Sequence, residues 1–344
     1  MIDTYTYIAK MEEEIRMSEV FDVTIIGGGT TGMYAAFYSG MRDLKTKVIE
    51  YQPDFGGKVS FFYPEKKIYD VGGFPGVTGE ALVKEVEDQA NLVDPVMAKG
   101  EKIKSIEKTE NGTFRLENDS GGEHLSKAVI IASGMGTFDM QPLQVEGSET
   151  YEKKQIHYTI QNRKQYEGKK IMVISQSRVG IDWSLALENI ADEVHLINRV
   201  EEFKAVYEHD MDQLKASSVS IHLNQEVEKL NGDGQIMKSV TMKDGAELEV
   251  DHILVYEGLN IEKSMYAEWG LETEKGRIPV GTDMCSNIEG IFVAGDAAIY
   301  PSKTMLIATG FTEAMAAVNS AAMYLDPKAK SQVYSTVIYK YADQ

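Results

Sequence analysis

One stretch of the chain, residues 21–50, FDVTIIGGGTTGMYAAFYSGMRDLKTKVIE, restricts the fold more than any other. Residues 23–26 are a short apolar run that reads as a strand, and Gly27, Gly29 and Gly32 then supply G-x-G-x-x-G. An alanine-rich helical stretch follows, and residues 47–49 read as a second strand ending on Glu50. Each position has a physical task. The first glycine permits a tight turn, the second lets backbone approach a pyrophosphate, and the third lets the helix lie close to the strand. The helix N-terminus offers N–H groups and the positive end of a dipole to phosphate. An acid about 20 residues further on can accept hydrogen bonds from a ribose diol. Glycine spacing alone also fits an ordinary turn; strand, helix, second strand and terminal acid in this order define a dinucleotide site. Glu50 favours an adenosine ribose without a 2′-phosphate, so the site suits FAD or NAD better than NADP.

A second signal lies near the C-terminus in NIEGIFVAGDAA, residues 287–298. Residues 291–294 read as a buried strand followed by Gly295 and Asp296. The glycine admits close backbone approach, and the carboxylate can accept hydrogen bonds from ribityl or ribose hydroxyls. Alone this is a turn; paired with the N-terminal fingerprint it reads as the other half of an FAD site. The spacing then predicts a long helix over 305–325, its positive end directed at the flavin.

Composition excludes several alternatives. The chain has 344 residues, enough for two domains, and a single cysteine, Cys285. An internal disulfide, a Cys-x-x-Cys redox pair and a cysteine zinc site are therefore ruled out, and no metal site is expected. Cys285 reads as a structural thiol, and a reducing cytoplasm fits. A formal charge of −19 argues against general nucleic-acid binding, which needs a basic face. No apolar run approaches the ~18 residues of a membrane span. Residues 1–17 carry acidic charge without an apolar h-region and read as an extension rather than a signal peptide.

Taken together, IIGGGTTGMYAAFYSGMR, FGGKVSFFYPEKKIYDVGGFPG, VIIASGMGTF, NIEGIFVAGDAA, LIATGFTEAMAAVNSAAMYLDPKA and the tail VYSTV resemble the thioredoxin-reductase-like ferredoxin–NADP reductases of bacteria. The resemblance implies an α/β fold of two Rossmann-like, doubly wound dinucleotide-binding domains. The FAD domain is discontinuous, 18–138 with 284–344, and the NAD(P)H-like domain is 139–283. It also implies the FAD contacts: Gly27, Gly29 and Gly32 at the pyrophosphate, Glu50 at the adenosine ribose, Ile103 beside the adenine, and Asp296 in the Gly-Asp turn. Lys58 stands where the family usually has Gln, Phe138 follows the crossover, and Tyr63 stacks on one flavin face. Tyr334, with Thr336 beside it, would stack on the other face from a partner subunit, which implies a homodimer. The flavin carries the chemistry, so no catalytic side chain is expected, and the partner is a ferredoxin or flavodoxin. The missing second cysteine excludes thioredoxin reductase itself.

The middle domain departs from the family pattern. A β-α-β outline survives over 170–197, but Gly-x-Gly-x-x-Ala is replaced by Ser175, Gln176, Ser177, Arg178, Val179 and Gly180. The motif that holds the 2′-phosphate of NADPH has decayed to Asn198, Arg199, Val200, Glu201, Glu202, Phe203 and Lys204. The candidate NAD(P)H contacts are thus Ser175, Ser177, Arg178, Gly180, Arg199 and Lys204, with use of NADPH or NADH weakened. Three functions follow as expectations: a flavin oxidoreductase of the ferredoxin–NADP reductase type; an FAD-binding paralogue that takes electrons from another donor or acts as a flavin-dependent binding or regulatory protein; and, more distantly, a diaphorase or quinone reductase using NADH.

Overall fold

The computed structural model describes residues 19–152, 154–262 and 265–331. They divide into two compact units, one built from the residues up to Thr137 and from Ile261 onward, the other from Phe138 to Asn260.

The first unit grows from the fingerprint. Strand β1 (Val20–Ile26) leads into helix α1 (Thr30–Met41) and strand β2 (Thr46–Glu50). Apolar residues alternate along β1: Val23 and Ile25 face one core, and Ile26 faces the other. Both faces are covered, as a parallel sheet requires. The remaining strands are β3 (Val96–Lys99), β4 (Ile103–Lys108), β5 (Phe114–Asn118) and β6 (Glu123–Ile131), in the order β3-β2-β1-β6-β5-β4. Strand Ile291–Val293 returns from far along the chain and pairs in parallel with β6 through Ile291↔Val129 and Val293↔Ile131. The sheet is therefore completed only by the distal segment. Helix Ile307–Leu325 packs Ala314, Ala317, Val318 and Ala321 into the same core as Met33 and Ala36 of α1. Its N-cap is Leu306, two residues later than the sequence suggests.

The second crossover lies near residue 260, not 283. The apolar residues between these points belong to the first unit: Met265, Tyr266, Trp269, Leu271 and Ile278 pack with Ile103, Ile106, Phe114 and Val129. The Trp269 indole N–H also donates to Lys104 O at 2.9 Å. These contacts are long-range, and no local pattern announces them.

The second unit repeats the plan. Its parallel sheet has the order β7-β11-β8-β9-β10: β7 (Ile156–His157), β8 (Lys170–Ser175), β9 (Glu193–Asn198), β10 (Ser220–Leu223) and β11 (His252–Tyr256). Helix α2 (Arg178–Leu187) follows β8, and helix α3 (Glu208–Ala216) precedes β10. An antiparallel meander, 227–249, covers the other face with Leu230, Val240 and Met242.

Candidate functional site

In the first unit the three glycines do separate work. Gly27 takes φ +109°, and a Cβ there would lie 2.5 Å from Ala132 O. A Cβ on Gly32 would lie 1.8 Å from Gly27 O, so only glycine lets α1 close down on the turn. Around Gly29 there is room: the nearest atom to an added Cβ is Gly57 Cα at 3.9 Å. Gly29 also caps α1 without a side-chain hydrogen bond. The first helical turn is thus left to an external acceptor, the arrangement a pyrophosphate needs.

Glu50 ends β2 in a buried position. Its carboxylate accepts the Gly28 N–H at 2.6 Å and the Gln52 N–H at 2.8 Å. Burial pushes its pKa up, and these backbone donors pull it back down. With the Tyr51 backbone as a third donor, the carboxylate keeps lone-pair capacity for one ribose hydroxyl.

The distal half meets this cradle. Gly295 takes φ +74°, and added Cβ atoms on Gly295 and Gly310 would lie 3.0 and 2.3 Å from Thr31 Oγ1, in the first turn of α1. A buried network holds the Gly-Asp turn from behind. Glu313 accepts the Gly295 N–H at 2.7 Å, the Tyr300 hydroxyl at 2.5 Å and the Lys303 ammonium. Lys303 in turn donates to Gly295 O at 2.9 Å. Burial, with the Glu313 carboxylate, pushes the Tyr300 phenol up to about 12. Sequence reading missed this network, whose signal is Lys303 and Glu313 among the largely apolar residues 297–318.

Asp296 forms an ion pair with Lys58. Tyr63 is half-buried at the end of helix Gly57–Phe62, with the Lys66 ammonium 5.2 Å from its ring centre. Ile103 is buried in the core, so only its backbone is available to a ligand. Phe138 is buried and belongs to the other unit. Tyr334 and Thr336 lie outside the described residues. The Cys285 thiol is pushed up to about 11 by burial and by Asp283, so it is not a nucleophile at neutral pH. An uncapped helix start, an open gap at Gly29, a buried carboxylate at the end of β2 and a glycine turn converging on Thr31 fit FAD.

The second unit can be compared position by position, because strand register aligns them. Ile26 pairs with Ile49 in one, and Ile174 with Ile197 in the other. Ser175, Gln176, Ser177 and Gly180 therefore stand where Gly27, Gly28, Gly29 and Gly32 do, and Asn198 stands where Glu50 does. The loop backbone is conserved in kind: Gly56 N–H donates to Gly28 O at 2.9 Å, and Lys204 N–H donates to Gln176 O at 2.7 Å. The turn itself differs. Ser175 avoids the left-handed region that Gly27 occupies, and its hydroxyl accepts the Ser177 N–H at 3.2 Å. Gly180 makes room for it, since a Cβ there would lie 2.2 Å from Ser175 Cβ.

The two arginines beside this loop are engaged. Arg178 pairs with Asp210 at 3.2 Å and Asp182 at 3.8 Å, and lies 5.4 Å from the Tyr207 ring centre. Arg199 pairs with Glu257 and, at 3.5 Å, with Glu226. Asn198 is turned to its own loop, donating to Glu202 O and accepting the Val200 N–H, both at 3.1 Å. The Lys204 side chain is exposed.

Two Rossmann-type units, one with an intact pyrophosphate cradle and a Gly-Asp turn facing it, define an FAD-dependent oxidoreductase with a second nucleotide-binding unit. The sequence matches the pyridine nucleotide-disulphide oxidoreductase family over residues 21–321, and the chain belongs to that family. It is 42% identical over 324 residues to ferredoxin–NADP reductase 1 of Bacillus velezensis, spanning 92% of this chain and 96% of that one. It is 44% identical over 318 residues to ferredoxin–NADP reductase 2 of Shouchella clausii, spanning 91% and 96%. Among solved structures, the thioredoxin reductase of Lactococcus lactis shares the fold with a TM-score of 0.68 at 22% identity, covering 89% of this chain and 99% of that one.

Proposed function

We propose that the protein passes reducing equivalents from a pyridine nucleotide, through FAD, to a one-electron protein carrier of the ferredoxin or flavodoxin type. The observation that carries this reading is the joining of the Gly27–Gly32 cradle, Glu50 and the Gly295–Asp296 turn around Thr31. Bound there, the flavin supplies the exchange between hydride and single electrons. The chain's own part is to hold and orient: α1 presents N–H groups to the pyrophosphate, Glu50 accepts from the adenosine ribose, and Asp296 accepts from hydroxyls beside it. Lys58 pairs with Asp296 and offsets its charge. An internal dithiol relay is excluded because the chain has one cysteine. The relatives named ferredoxin–NADP reductase support the choice of carrier. We place the enzyme in a reducing cytoplasm as a homodimer, with Tyr334 of one subunit on the flavin of the other.

The test is anaerobic mixing of the yellow holoprotein with NADH and with NADPH. The flavin absorbance should bleach with at least one of them and recover when oxidised ferredoxin or flavodoxin is added. Protein that neither carries nor takes up FAD would defeat the proposal. The Ser175–Gly180 loop favours a second reading, in which reduction by either nucleotide is slow and another donor serves the flavin.

A further inference from the structure

Arg199 follows β9 directly and lies at the carboxyl end of the parallel sheet, where nucleotides bind in doubly wound folds. It is the one arginine of the loop 198–204. A guanidinium at this place is suited to a 2′-phosphate through its planar fork. Here that fork is turned onto two carboxylates, Glu257 just after β11 and Glu226 just before the meander. Lys243 pairs with the other oxygen of Glu226, so the four groups balance in charge. Beside them lies a cavity of about 110 Å³ lined in part by Ile174, Arg199 and Glu226.

The Glu257 carboxylate is 7% exposed, and its Oε1 has no hydrogen-bond partner among the described residues. Burial pushes its pKa up, Arg199 pulls it down and Glu226 pushes it up again. Its ionised form thus depends on Arg199. Moving Arg199 to a phosphate would leave a buried carboxylate unpaired, which is strongly unfavourable. Lys204 is the other cation of the loop, a point charge without the bidentate fork.

We propose that Glu257 and Glu226 set the coenzyme preference of the second unit: by holding Arg199 they withhold it from a 2′-phosphate, so a dinucleotide with a free 2′-hydroxyl, NADH, is accepted ahead of NADPH. This rests on the reading above that the second unit takes a pyridine nucleotide.

The test is calorimetric titration of the oxidised holoprotein with NAD+ and with NADP+. The unmodified protein should bind NAD+ more tightly. Glu257→Gln should raise NADP+ affinity by about tenfold or more, the scale of one charge-assisted hydrogen bond, and change NAD+ affinity by no more than about twofold. Glu226→Gln alters a more exposed partner at less risk to folding, and should move NADP+ affinity in the same direction. Arg199→Leu combined with Glu257→Gln, which leaves no buried carboxylate unpaired, should abolish the gain in NADP+ affinity. Tighter binding of NADP+ than NAD+ by the unmodified protein, or a gain in NADP+ affinity that survives in the Arg199→Leu, Glu257→Gln double variant, overturns the inference while leaving pyridine-nucleotide use intact. Binding of neither coenzyme overturns both.

Discussion

At the scale of single residues, Gly32 is the least replaceable position in the cradle. Its missing Cβ is what allows the Gly27 carbonyl to sit against α1. Gly32→Ala should cost about 1–3 kcal/mol through overpacking, read by urea denaturation, and the purified variant should be largely free of flavin. Gly72→Ala, where nothing among the described residues lies within 4 Å of an added Cβ, is the matched control and should be close to neutral. Histidines supply a second residue-scale expectation. His157 Nε2 lies 3.1 Å from His252 Nδ1, and burial followed by the His252 charge lowers the His157 pKa from 6.5 to about 4. A histidine depressed in the folded state binds its proton more readily when unfolded. The stability it contributes is present above pH 6.5 and is lost as pH falls from about 6.5 through about 4. His157→Gln should flatten the pH dependence of unfolding over that window. A slope equal to that of the unmodified protein would show that the pair does not titrate as described.

Among elements, the buried Lys303–Glu313 pair ties the Gly-Asp turn to helix Ile307–Leu325. Lys303→Met leaves Glu313 charged and unpaired in the core and should cost about 3–5 kcal/mol. FAD should also bind more weakly, because Gly295 loses a donor to its carbonyl; flavin fluorescence on dilution measures this separately from the melt. The pairing shows what a sequence does and does not disclose. The β1-α1-β2 unit was legible because each signal lies within 30 residues of the next and has one physical purpose. The return of Ile291–Val293 to β6 was legible only by analogy with other flavin folds. The boundary near 260 was not, because Tyr266 and Trp269 look like ordinary apolar residues until Ile103 and Phe114 are beside them. The same limit hid the partners of Arg199. Its place in the loop was plain, yet Glu257 is 58 residues away and belongs to another strand end.

For the whole molecule, the governing quantity is charge. At −19 the chain repels an acidic carrier at long range, whatever local contacts follow. Electron transfer to an acidic ferredoxin should therefore quicken as ionic strength rises from about 10 mM toward 150 mM, where the screening length shrinks from about 30 Å to about 8 Å. A rate that falls with salt would instead point to a basic docking face strong enough to outweigh the net charge. The interrupted order of the first unit has a further effect, on how the protein is made. The edge of β6 that receives Ile291–Val293 leaves the ribosome about 160 residues before its partner, a delay of roughly 8–32 s at about 5–20 residues per second. Throughout that time an apolar edge, Val129 to Ile131, stands open while the second unit is synthesised and has the chance to fold first. Unpaired edges of this kind recruit other chains. The nascent protein should thus depend on a holding chaperone during synthesis of its middle, and slower translation there should lower the soluble yield.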